Sequence, residues 1–156
     1  MAFENIRPAN ESDLSRIAEI FVFNNRVNYF PIFKDESFSF SELQVRTVLE
    51  RFPDIIGSPE NTYVYDDGVI KGFTVVSDKE ITKLYVDTFF QSRGIGGVLI
   101  SFAKKVLQAE RLWVLEKNIK AIKFYESHGF IKSGGRKPED GTDEWLTEMR
   151  KESKNA

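Results

Sequence analysis

Gly94, Gly96 and Gly97 follow Gln91, Ser92 and Arg93 and open an apolar segment that begins at Ile95. Val98, Leu99, Phe102, Ala103, Val106 and Leu107 continue that segment at the spacing of one helix face. The first turn of a helix leaves backbone N–H groups without intrahelical partners, and the dipole adds positive potential there. Glycine lets a ligand come close to that backbone. The chemistry on offer is phosphate binding at a helix mouth, with Arg93 adding a fixed charge beside it.

A second set lies downstream, in Asn118-Ile-Lys-Ala121-Ile-Lys-Phe124-Tyr125-Glu126-Ser-His-Gly129-Phe130. The spacing of Asn118 and Tyr125 is close to two helical turns, which puts them on one face about 10 Å apart along the axis. An amide can bond a polar ligand there, and a phenol can donate a proton. Two common nucleotide loops are excluded. Gly96 is followed by Gly97 and Val98, not by the Lys-Ser/Thr of a Walker loop. Leu99 stands where a Rossmann fingerprint needs its third glycine.

The pattern Gln91-x-x-Gly94-x-Gly96, followed by Asn118-x-x-Ala121-x-x-Phe124-Tyr125, resembles the GNAT superfamily of N-acetyltransferases. The opening Ile6-Arg7-Pro8-Ala9, with Ser12-Asp13-Leu14 after it, is similar to that family's first strand and helix. The resemblance spans nearly the whole chain, with its specific motifs between residues 84 and 130. It implies acetyl-coenzyme A as cosubstrate and transfer of its acetyl group to a primary amine by direct attack in a ternary complex. Gln91, Ser92, Arg93, Gly94, Ile95, Gly96 and Gly97 would hold the pyrophosphate. Leu84, Tyr85, Val86, Asn118, Ala121 and Phe124 would also contact the coenzyme, and Tyr125 would stand near its sulfur as the catalytic acid. The alternative is a non-catalytic acyl-coenzyme A sensor on the same fold, which has no need of Tyr125.

Leu84, Tyr85 and Val86 break the strand alternation, which suits a β-bulge that frees backbone donors for a carbonyl oxygen. The acceptor pocket of the family lies near the first two helices. Tyr29 and Phe30, with Phe33, are candidates for it and equally for core filling. The acceptor, a small amine or a peptide or protein amine, is not readable from residues 24–52. Glu80, Asp87 and Glu116 lie near the right strands for a general base, and the sequence does not choose among them. His128 precedes Gly129-Phe130 and reads as a polar complement to a helix C-terminus. Lys104, Lys105, Lys120 and Lys123 read as a solvated helix face, one or two within reach of the coenzyme's 3′-phosphate.

The chain has 156 residues, 41% of them hydrophobic, which points to an ordered domain. A formal charge of −2 argues against a nucleic-acid face. With no cysteine and one histidine, thiolate nucleophiles, disulfides and a cysteine or histidine metal centre are not expected. No apolar run approaches the ~20 residues that span a bilayer, so a cytoplasmic protein is expected, without a membrane partner. A homodimer remains open.

The elements that must position these residues follow from pattern. Phe3 to Arg7 reads as a strand, and Asn10 or Ser12 caps a helix with Leu14, Ile17, Ala18, Phe21 and Val22 on one face. Residues 24–38 lose periodicity and read as an aromatic loop. Ser39 with Glu42 predicts a capping box for a helix to Arg51, closed by Pro53. Thr62–Tyr65 and Val69–Val76 read as a hairpin around Asp67-Gly68, followed by a strand over Ile81–Val86. Leu112–Leu115, the Asn118 helix, and a final pair from Ile131 and over Glu144–Met149 complete the chain. The expected class is α/β, with α and β mixed: a GNAT-like, mostly antiparallel sheet of about seven strands flanked by about four helices. One domain is expected over 1–152, with a polar tail at 153–156.

Overall fold

The computed structural model describes residues 3–153, so most of the expected tail lies outside the described residues. Its strands are β1 (Ile6–Pro8), β2 (Thr62–Asp66), β3 (Ile70–Ser77), β4 (Glu80–Val86), β5 (Arg111–Leu115), β6 (Phe130–Pro138) and β7 (Trp145–Lys151). They form one mixed sheet in the order β1-β2-β3-β4-β5-β7-β6, antiparallel except where β4 meets β5. The α-helical segments are α1 (Leu14–Asn28), α2 (Phe30–Phe33), α3 (Val45–Glu50), α4 (Phe52–Ile55), α5 (Ile95–Lys105) and α6 (Ile119–Ser127).

Two apolar clusters cover the two faces of the sheet. Ile17, Phe21 and Val22 of α1 pack with Val48, Phe52, Val64 and Phe73 on one side. Ile100 and Ala103 of α5 pack with Ile122, Leu112, Phe130 and Met149 on the other. Burial of each of the larger of these side chains contributes about 1.5–3 kcal/mol. Both faces of β4 are therefore covered: Leu84 packs toward α5 and α6, and Tyr85 toward α1. That explains three apolar residues in succession without a bulge among them. The β3–β4 ladder runs regularly from Gly72↔Val86 to Val75↔Lys83. The expected bulge lies earlier, at Thr82, where the register shifts beyond Val75. There Thr82 Oγ1 bonds the Val75 carbonyl at 3.3 Å and Thr74 Oγ1 bonds that of Lys83 at 2.8 Å.

The segment after Val22 differs from the expected loop. Helix α1 continues to Asn28, carried by buried Asn24 on the same stripe as Ile17 and Phe21. Ser39 does not cap a helix. It sits inside a π-helical turn, Phe38–Glu42, with its carbonyl taken by Arg26 Nε at 3.0 Å. Pro53 opens the single turn of α4 rather than closing α3, since a missing N–H costs nothing in a first turn. The hairpin turn at Asp67-Gly68 is formed, with the Gly68 N–H on Asp66 Oδ1 at 2.9 Å. Among the described residues no helix is long and apolar enough to cross a membrane.

Candidate active site

Helix α5 opens at Gly94, whose φ of 84° and ψ of 0° are left-handed, and no side chain caps it. A Cβ at Gly94 would meet nothing within 4 Å, so backbone conformation alone asks for glycine there. The Val98 N–H bonds the Gly94 carbonyl at 3.1 Å. The N–H groups of Ile95, Gly96 and Gly97 precede that first bond and are left for a ligand. A Cβ on Gly96 would stand 3.2 Å from the Phe124 ring, and one on Gly97 would stand 3.0 Å from His128 Nε2. These two glycines let α6 lie against the mouth of α5. Gln91 braces the loop before the mouth, its Nε2 donating to the Val86 carbonyl at 3.2 Å.

Beside the mouth, β4 and β5 part. Their parallel pairing consists of Glu80↔Arg111 and Ile81↔Leu112 alone. The Asp87 N–H bonds the Lys71 carbonyl of β3 at 2.8 Å. By the alternation of a strand, the N–H groups of Val86 and Leu84 point the other way, into the gap that β5 leaves. The Tyr85 N–H faces β3. The Val86 carbonyl, also in the gap, accepts from Asn24 Nδ2 at 3.1 Å and from Gln91. The gap thus offers two backbone donors in a cleft of about 880 Å³ that runs from the helix mouth to α1.

Three tyrosines face this cleft. Tyr125 on α6 packs its ring on Phe124 and Phe130, at 5.4 and 6.1 Å between centroids. Burial pushes its hydroxyl well above the usual phenol range, and the neighbouring Tyr29 adds to this. Tyr85 packs edge-on against Phe21, and its hydroxyl lies 3.4 Å from that of Tyr29. Burial raises both of these phenols as well. At neutral pH all three hydroxyls are protonated donors.

The cleft brings together most of the residues singled out in the sequence. Leu84, Tyr85, Val86, Gln91, Ser92, Gly94, Ile95, Gly96, Gly97, Asn118, Ala121, Phe124, Tyr125 and Tyr29 line it. Asn118 is also the N-cap of α6, its Oδ1 accepting from the Ala121 N–H at 3.2 Å. Arg93 stands outside the lining, over the Phe90 ring at 5.4 Å. Phe30 is outside the lining and packs edge-on against Phe40 at 5.1 Å, whereas Phe33 lines the cleft. His128 lines it beside Gly97, with Nδ1 2.8 Å from the Phe124 carbonyl in the last turn of α6. Lys104 is not a solvated residue: its ammonium bonds the His128 carbonyl and lies near the Phe130 ring. Lys120 lines the cleft and reaches Gln91 Oε1 at 3.5 Å.

The carboxylates near β4 and β5 are engaged elsewhere. Asp87 holds Arg16 at 2.7 Å and the Phe89 N–H at 2.9 Å. Glu116 pairs with Arg136 at 2.7 Å, and Glu80 lies 3.8 Å from Arg111. Sequence reasoning missed Asn24, Asn25, Lys83 and Glu139, all on the cleft. Only Asn24 carried a signal, because it continues the stripe of Ile17 and Phe21.

Residues 58–132 match the family model described as acetyltransferase (GNAT) domain. Over that stretch the chain is similar to the GNAT acetyltransferase domain. The GNAT fold is shared with solved structures over almost the whole chain. An N-acetyltransferase from Staphylococcus aureus Mu50 is 14% identical, with 93% of this chain and 98% of that one covered and a TM-score of 0.73. Apo-form YjaB from Escherichia coli is 21% identical, with 94% and 95% covered and a TM-score of 0.68. The PaiA N-acetyltransferase from Thermoplasma acidophilum, solved in complex with coenzyme A, is 22% identical, with 92% and 96% covered and a TM-score of 0.64. No curated protein matches this chain significantly.

Proposed function

We propose that this protein is an N-acetyltransferase that carries an acetyl group from acetyl-coenzyme A to a primary amine by direct attack. One observation carries the proposal. A single cleft joins an uncapped helix mouth, two backbone donors in a strand gap, and a buried tyrosine hydroxyl. Acetyl-coenzyme A, when bound, supplies a pyrophosphate and an electrophilic thioester carbonyl. The N–H groups of Ile95, Gly96 and Gly97 would hold the pyrophosphate. Those of Leu84 and Val86 would bond the pantetheine arm and the carbonyl oxygen, as donors already in place when charge develops. Asn118, Ala121 and Phe124 would wall the arm.

Tyr125 would donate to the sulfur as the C–S bond breaks. Its raised pKa keeps the proton on the phenol at neutral pH but makes it a weaker acid than a free tyrosine. A thiolate in the same desolvated place is also more basic than its usual ~8.5, which keeps the two matched. The absence of cysteine from the sequence removes the easiest covalent acyl carrier and favours direct attack.

Calorimetric titration with acetyl-coenzyme A, desulfo-coenzyme A and NAD tests the proposal. Saturable binding of both coenzyme A forms and none of NAD is expected, followed by amine-dependent release of thiol. A folded protein that binds neither form would overturn it.

A further inference from the structure

The acceptor end of the cleft carries charges of both signs. On β4, Lys83 and Tyr85 share a face by strand alternation, the face turned toward α1. Lys83 is half-buried and lines the cleft. Among the described residues its ammonium has no hydrogen bond and no ion pair within 4.0 Å. Glu139, at the start of the connection between β6 and β7, also lines the cleft. Its carboxylate is likewise free of side-chain partners among the described residues, while its backbone N–H is fixed to the Glu144 carbonyl at 2.9 Å. The charges of Glu139 and Glu80 act on Lys83, yet burial outweighs them and draws its pKa down. Glu80 is meanwhile close to Arg111.

A desolvated ammonium without a counter-ion is costly, and an anion from a ligand removes that cost. A simple amine would leave Lys83 unmatched, and a polyamine would add like charge beside it. Two other acids on the lining of the same cleft, Asp35 and Asp140, suit the cationic end of an acceptor. Only an acceptor with both charges matches both walls.

We propose that the acceptor is an amine that also bears a carboxylate, with Lys83 binding the carboxylate and Glu139 facing the amine. This rests on the N-acetyltransferase reading of the cleft and names its substrate class. The carboxylate can belong to a free amino acid or to the acidic N-terminal residue of a peptide.

The test uses the full-length protein saturated with coenzyme A and titrated with matched pairs: phenylalanine and phenethylamine, lysine and cadaverine, methionine and its decarboxylated amine. An Asp-Ala dipeptide beside free alanine separates the two sources. In at least one pair, or for the dipeptide, the carboxylate-bearing member is expected to bind roughly tenfold tighter or better. Lys83→Met should abolish that preference and Lys83→Arg should keep it, with acetyl-coenzyme A affinity unchanged in both. Equal or tighter binding of the plain amines would overturn the proposal. So would a preference that survives in Lys83→Met, or no binding of any member by a protein that binds acetyl-coenzyme A. Loss of acetyl-coenzyme A binding by the wild type would instead count against the transferase reading itself.

Discussion

Asn24 Nδ2 lies 3.1 Å from the Val86 carbonyl and 2.9 Å from that of Ile20, and Asn24 itself is 2% exposed. Helix α1 thereby holds the last residue of β4 at the point where β5 has left it. With Gln91 Nε2 at 3.2 Å as the second donor, the edge opened by the strand gap carries no unsatisfied carbonyl beside the donors that face the cleft.

Asn24→Ala should remove that tether while Gln91 still serves the same carbonyl. A loss of about 1–2 kcal/mol is expected, toward the lower end for a buried group left short of a partner. Thermal unfolding would show a fall of a few degrees. Asn24→Ala and Gln91→Ala share one acceptor, so their effects should not add, with a coupling of about 0.5–3 kcal/mol in a double-mutant cycle. Strict additivity would mean that the two bonds do not act on the same strand end.

Tyr125→Phe should separate binding from chemistry. The ring contacts with Phe124 and Phe130 survive the change, so acetyl-coenzyme A affinity should stay within about twofold. Turnover should fall by about 10²–10⁴, the usual worth of a positioned proton donor. The pH profile carries a second signature. The phenol is a donor only below its raised pKa, so wild-type activity should show no alkaline loss from this group below pH 10. An unchanged rate in Tyr125→Phe would remove Tyr125 from the chemistry.

The parts of the molecule legible in the sequence are those set by local pattern. The glycine mouth, the stripe of Ile95, Leu99, Phe102 and Ala103 on α5, and the Asp67-Gly68 hairpin each follow from residue type at short spacing, whereas α5 ends at Lys105 and leaves Val106, expected on that stripe, exposed. Features set by packing were hidden. Leu84-Tyr85-Val86 looks like a slipped alternation because both faces of β4 are covered, which only the arrangement of α1 and α6 shows. Phe30 and Phe33 are indistinguishable in sequence, yet one packs edge-on against Phe40 and the other reaches the cleft. Lys83, on β4, and Glu139, after β6, line one cleft from places far apart in the chain, so no spacing could pair them.

Arg7 holds Asp13 at 2.7 Å and Asp66 at 3.0 Å, tying β1, β2 and the start of α1 together. The hydrogen bond from Arg7 keeps the buried Asp13 carboxyl below its usual range. A depressed carboxylate pKa stabilises the fold above the unfolded value of ~3.9 and loses that contribution as pH falls through the folded one. Asp13→Asn should therefore cost about 1.5–3 kcal/mol at pH 7, the usual worth of hydrogen bonds to a charged group. The gap between wild type and variant should narrow as pH is lowered below 4. Parallel denaturation curves at pH 7 and pH 3 would show that Arg7 does not perturb Asp13.

Gly97 decides why glycines stand at the mouth of α5. Its missing Cβ leaves room for His128 Nε2, which would otherwise stand 3.0 Å away. The same omission leaves the neighbouring N–H groups open to a ligand. Gly97→Ala should press on His128, a side chain also held by its Nδ1 contact with the Phe124 carbonyl, and so push α6 outward. The expected cost is about 1–3 kcal/mol, as for overpacking elsewhere. His128→Ala removes the obstruction, so the double variant should regain stability relative to Gly97→Ala alone. Coenzyme affinity then separates the two reasons. If affinity returns with stability, glycine is there to seat α6; if it stays low, glycine is there for the ligand. The packing geometry predicts recovery of both, measured by thermal unfolding and by titration with acetyl-coenzyme A on the same three variants.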